Sequence, residues 1–114
     1  MKKFLSKNII YYLIIIGVAL IMCIPLFQEG IHTGDDGEFH ISRTIGTIEQ
    51  ILNGKSPFIV DRFSLGFGFA WNLFYPPVST VINVVFAFLT NNVVTAMKIF
   101  IFLTFVVSGI TMYQ

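Results

Sequence analysis

Three side chains suited to acid–base and anion chemistry recur at helical spacing in one short stretch: Asp36, His40 and Arg43. At 100° per residue they lie at about 0°, 40° and 340°, with Thr47 at about 20°, so a helix here points a carboxylate, an imidazole and a guanidinium the same way. In that arrangement Asp36 acts as general base toward an acceptor hydroxyl, His40 hydrogen-bonds or relays a proton, and Arg43 counters a phosphate. The plainer alternative is an interfacial helix whose polar face is simply wet. Asp35 followed three residues later by Glu38 reads as a capping box. Asp35 therefore has a structural role open to it, and Asp36 is the first candidate for chemistry with Asp35 second. Asp36, Glu38 and His40 are also candidate ligands for a divalent metal such as Mg or Mn, although the cluster is local and sets no geometry. Downstream, Arg62 beside Asp61 is either a solvated pair or a second cation for an anionic lipid headgroup.

The element that must carry these groups is an amphipathic helix over residues 36–53. Ile41, Ile45, Ile48 and Leu52 fall within about 60° of one another, roughly opposite the polar stripe. Asn53-Gly54 supplies the stop. The surroundings of that helix follow from composition. Of 114 residues 55% are hydrophobic and only 11% charged, and the mean hydropathy is +0.81. A soluble domain carries about 25% charged residues, and a chain this short cannot bury so much apolar surface in one core. The expected solvent is a bilayer. All the acidic residues, from Glu29 to Asp61, fall in one segment, while Lys2, Lys3 and Lys7 crowd the amino terminus. Basic residues elsewhere are scattered singly, which disfavours nucleic-acid binding. The lone Cys23 sits in an apolar run and reads as a small membrane-buried side chain.

These features predict an all-α membrane protein with three transmembrane helices and an amphipathic interfacial helix in the first outward loop. Residues 1–7 are a cytoplasmic basic tail, 8–28 a first transmembrane helix, and 29–72 the outward loop with its amphipathic helix at 36–53. Residues 73–90 form a second transmembrane helix, 91–95 a cytoplasmic turn, and 96–114 a third transmembrane helix. A cleaved signal peptide is disfavoured because the first apolar run exceeds the usual 7 to about 15 residues and no small-x-small site ends it. Lysines in the tail make the amino terminus cytoplasmic and the loop at 29–72 extracellular. The aromatics Phe67, Phe69, Trp71, Phe74 and Tyr75 precede the second span, where an interfacial belt lies. The third apolar run reaches Tyr113 without a polar tail, so a longer polypeptide is expected, with these helices part of a larger bundle.

Asp36-x-x-Phe39-His40-x-x-Arg43, the Asn53-Gly54 stop, Pro57 and Arg62, Gly66-Phe67-Gly68 and Phe74-Tyr75-Pro76 together resemble the opening of large bacterial multi-pass membrane proteins. These are the YfhO-like and 6-pyruvoyl-tetrahydropterin-synthase-related membrane proteins of the C-type (GT-C) glycosyltransferase superfamily. The resemblance implies a polytopic enzyme of the cell membrane that takes a sugar from a polyprenyl-phosphate donor and transfers it to an acceptor at the outer face. It gives the catalytic acid of the first outward loop to Asp36, with Asp35 second; residue type and spacing add His40, Arg43 and Arg62 as substrate-binding candidates. Metal dependence varies in that superfamily, so Mg or Mn is a possible cofactor only. The implied partners are membrane lipid, the lipid-linked sugar, and further transmembrane helices of the same polypeptide. Three spans do not form the many-helix cavity a lipid-linked donor needs, so the 114-residue chain alone is expected to be inactive. From a different class, a small three-span protein that binds or regulates a larger membrane partner through its outward helix needs no catalyst. A transporter is disfavoured because no acidic residue lies within a span.

Overall fold

The computed structural model describes residues 2–30 and 36–114, with side chains from Asn8 onward. The order of elements is α1 (Lys2–Met22), a 3-10 turn (Ile24–Phe27), α2 (Gly37–Leu52), a second 3-10 turn (Ser64–Gly66), α3 (Trp71–Phe74), α4 (Pro77–Thr90) and α5 (Val93–Tyr113). The fold is mostly helical. Among the described residues there is no strand, only one antiparallel bridge between Val60 and Phe69.

Element boundaries follow local chemistry. After Met22 the chain tightens into the 3-10 turn that has Pro25 in its first positions, where a missing amide donor costs least. Tyr75 is extended and Pro76 and Pro77 follow, so α3 stops and α4 starts afresh at Pro77. Asn91 ends α4 in the left-handed conformation, and the Asn92 side chain accepts the Thr95 amide at 2.9 Å to cap α5.

These breaks revise the expected spans. One described helix, Val93–Tyr113, is long and apolar enough to cross a membrane; Asn8–Met22 and Pro77–Thr90 are shorter apolar helices. The 21 residues of α5 reach about 31 Å at about 1.5 Å per residue, against about 30 Å of hydrocarbon. The 14 residues of α4 reach only about 21 Å. The expected span at 8–28 thus gives way at Met22, and that at 73–90 is broken at Tyr75.

The chain divides into two compact units, one comprising the residues up to Glu29 with Lys98–Gln114, the other Gly30–Met97. In the first, α1 and the body of α5 lie close: a Cβ on Gly109 would stand 2.6 Å from Ile15 Cγ2. The Tyr113 ring sits 5.1 Å from that of Tyr11, and its hydroxyl donates to Asn8 Oδ1 at 3.3 Å. Cys23 is buried, and Lys98 Nζ donates to the Gln28 carbonyl at 2.8 Å.

In the second unit α2 packs against α4, with α3 beside them. Its interior is polar: Arg43, Thr44, Thr47, Gln50, Asn72, Thr80 and Asn83 are buried with Val60, Val84, Ala87 and Ala96. Gly46 lets the loop approach α2, since a methyl there would overlap Val60 Cγ1. Large apolar side chains remain outside, Leu52 at 70% exposure among them.

Candidate functional site

Asp36 occupies the N-cap position of α2, and its side chain makes no capping hydrogen bond. The helix therefore begins one residue later than the Asp35 capping box predicts; Asp35 itself lies outside the described residues. A turn onward, the His40 amide donates to the Asp36 carbonyl at 3.1 Å, so both side chains leave the same end of the helix. They line a cleft of about 250 Å³ with Phe39, Trp71 and Tyr75. Its wall is a stack of rings: Phe39 lies 4.4 Å from Trp71 and 5.4 Å from Tyr75, each tilted or edge-on. The Trp71 indole N–H is buried and has no hydrogen-bond partner among the described residues, while the Asp36 carboxylate is exposed. The cleft thus offers an exposed carboxylate, an imidazole and flat aromatic surface. Such a set can orient a polyhydroxylated ring and accept a proton from one of its hydroxyls.

Arg43 turns the other way. It is 2% exposed, and Nε donates to Asn72 Oδ1 at 2.8 Å, while Nη2 donates to the Tyr75 and Pro76 carbonyls at 3.2 Å each. Its carbon Cζ lies 5.6 Å from the centre of the Tyr75 ring. Burial lowers its pKa from the ordinary value, with Tyr75 acting in the opposite direction. The guanidinium is therefore occupied in fixing the cleft wall. Asn72 is the hub of that network, its Nδ2 donating to Thr47 Oγ1 at 3.0 Å and to the Pro57 carbonyl at 2.6 Å. The hydroxyls of Thr44 and Thr47 donate back to the His40 and Arg43 carbonyls. The buried side chains of Arg43, Thr44 and Thr47 on this face of α2 are thereby hydrogen-bonded.

The stripe read as chemical is thus split: Asp36 and His40 meet in the cleft, whereas Arg43 and Thr47 hold α2 to α3. Arg62 is not among the cleft-lining residues; it pairs with Glu49 at 3.2 Å. Lys55 pairs with Asp61 at 2.7 Å, and that hydrogen bond holds the Asp61 carboxyl below its ordinary value. Glu38 is exposed on the first turn. No three His, Cys, Asp or Glu side chains converge among the described residues, so Asp36, Glu38 and His40 do not form a ready metal centre. Sequence reasoning missed Asn72 and the roles of Trp71 and Tyr75. A single amide side chain flanked by Trp71 and Leu73 in an otherwise apolar run was the available signal.

Among known proteins, no family profile matches the chain and no solved structure does so. The chain is 29% identical over 118 residues to an uncharacterized protein of Lactococcus lactis subsp. cremoris. That alignment takes in 100% of this chain and 19% of the relative, so the chain spans about one fifth of the relative's length.

Proposed function

We propose that this chain is the amino-terminal part of an integral-membrane glycosyltransferase of the C-type superfamily, similar to the YfhO-like proteins. It transfers a sugar from a polyprenyl-phosphate donor to an acceptor at the outer membrane face. The observation that carries this is the cleft in which the exposed Asp36 carboxylate, which makes no capping hydrogen bond, and His40 stand against Phe39, Trp71 and Tyr75. Asp36 takes the proton of the acceptor hydroxyl as its oxygen bonds to the anomeric carbon. The bond from that carbon to the phosphate oxygen breaks, and polyprenyl phosphate leaves with the electron pair. His40 hydrogen-bonds the reacting hydroxyls, and Arg43 keeps the Tyr75 wall in register.

The polar interior and apolar exterior of the second unit support a bilayer as its surroundings, since a water-soluble unit sorts these residue types the other way. In this topology α1, α4 and α5 all cross the cell membrane, the shorter apolar stretches Asn8–Met22 and Pro77–Thr90 completed by flanking turns and local thinning. The amino terminus is cytoplasmic, and the cleft faces outward. The relative, of which this chain spans 19%, supports a longer polypeptide whose further helices complete the donor cavity. One observation favours a second reading, a three-span protein that docks on a larger membrane partner: Ile41, Ile45 and Ile48 are only partly covered and Leu52 is open.

The test is Asp36→Asn in the full-length protein. Transfer of the lipid-linked sugar should fall by about two to four orders of magnitude with membrane insertion intact. Retained transfer would remove Asp36 from the mechanism, and loss of function on making Ile45 and Ile48 polar instead would favour the docking protein.

A further inference from the structure

The most exposed large apolar side chains among the described residues sit on one short loop, with Leu65 at 99% and Phe67 at 90% exposure. The loop is pinned at its base. The Val60 amide donates to the Phe69 carbonyl at 2.9 Å, the Phe69 amide returns to Val60 at 3.1 Å, and Val60 is fully buried. Within the loop the Phe63 carbonyl accepts the amides of Gly66 and Gly68. Ser64 and Leu65 are both left-handed, with φ of 55° and 57°, a conformation that side-chain-bearing residues resist. The backbone is thus held against local preference in a form that thrusts Leu65 and Phe67 outward.

We propose that residues 63–69 form a hydrophobic wedge that inserts Leu65 and Phe67 into the acyl-chain region of one bilayer leaflet without crossing it. Three observations select lipid as the occupant. Leu73, Phe74 and Val78, between the loop and the first turn of α4 along the chain, are exposed as well, and α4 leads directly into α5, which is long enough to span. No charged side chain occurs from Phe63 to Met97, so the chain from the loop into α4 carries no group that an acyl layer excludes. Leu65 and Phe67 together offer roughly 400 Å² at most, about half of what each partner buries in a stable protein complex; a bilayer needs no matching groove. The ion pairs Lys55–Asp61 and Glu49–Arg62 lie at the foot of the loop, suited to the headgroup layer.

The wedge rests on the membrane assignment made above, and the test separates the two. In the full chain with Cys23→Ser, single cysteines at Leu65→Cys, Phe67→Cys, Ser56→Cys and Val107→Cys carry a nitroxide in liposomes of phosphatidylethanolamine and phosphatidylglycerol. Oxygen collisions should exceed those of a water-soluble nickel chelate at 65, 67 and 107, with the order inverted at 56. Nickel-dominated collisions at 65 and 67 with 107 in lipid would overturn the wedge and leave the membrane assignment standing. Protection of 65 and 67 from both reagents would also overturn it, by revealing a protein partner. Nickel-dominated collisions at 65, 67 and 107 together would overturn both.

Discussion

Removing the Asn72 side chain should unlock the second unit. In Asn72→Ala three hydrogen bonds vanish: one accepted from the Arg43 guanidinium at 2.8 Å and two donated, to Thr47 Oγ1 and to the Pro57 carbonyl. The first involves a charged donor and contributes about 1.5–3 kcal/mol, the other two about 0.5–1.5 kcal/mol each. Losses within one network are not additive, so we expect about 3 kcal/mol. At about 4 °C per kcal/mol for a chain of this size the unfolding midpoint falls by roughly 12 °C. Trp71, the one tryptophan, adjoins Asn72 and reports the transition by fluorescence. Arg43→Met should cost a similar amount, because it strands Asn72 Oδ1 and the Tyr75 and Pro76 carbonyls. The double variant should lose clearly less than the sum of the two singles. A midpoint within roughly 2 °C of the parent for Asn72→Ala, or strict additivity in the cycle, would refute the claim that this network locks α2 to the cleft wall.

Gly46→Ala pushes a methyl into Val60 Cγ1 and should cost about 1–3 kcal/mol; Val60→Ala in the same chain should recover part of it, as thermal unfolding will register. Gly109→Ala brings a methyl to 2.6 Å from Ile15 Cγ2, so a disulfide or spin-label distance between α1 and α5 should lengthen, while Ser108→Ala should leave it unchanged. The Asp61 carboxyl is held low by Lys55, so its folded pKa lies below its unfolded one. The pair's contribution is then present above the unfolded pKa and disappears as pH falls through the folded one. Carbon NMR of Asp61 should show a midpoint below about 3.9 that rises in Lys55→Met, and an unmoved midpoint would dismiss the pair.

Several local features were legible in the sequence because neighbouring residues decide them. Asn53-Gly54 ends α2 with Gly54 at φ 67°, the Gly54 amide on the Ile51 carbonyl and the Lys55 amide on Gln50. Asn91 and Asn92 break the chain between α4 and α5 inside the expected turn at 91–95, one asparagine left-handed and the next a cap, but the cap lets α5 begin at Val93, three residues earlier than residue 96. The facing of α2 was not legible. Its helical stripe of Asp36, His40, Arg43 and Thr47 is real, yet Arg43 and Thr47 point inward because Asn72, 29 and 25 positions away, supplies their partners. A pattern of hydrophobicity assigns the polar face to water; a long-range amide that satisfies a buried guanidinium reverses the assignment. Span lengths were misjudged for a related reason. Uncharged composition runs on through Pro25 and through Tyr75-Pro76-Pro77, but the backbone does not continue as one helix across either.

Under the proposed function the exposed Asp36 carboxylate in the aromatic cleft abstracts the acceptor's proton during sugar transfer. This step is tested most directly by following a radiolabelled sugar from polyprenyl phosphate to acceptor in membrane vesicles bearing the full-length protein, parent beside Asp36→Asn. Loss of about a hundredfold or more, with unchanged donor binding and unchanged Trp71 unfolding, is the expected result. Transfer in Asp36→Asn equal to that of the parent would contradict it.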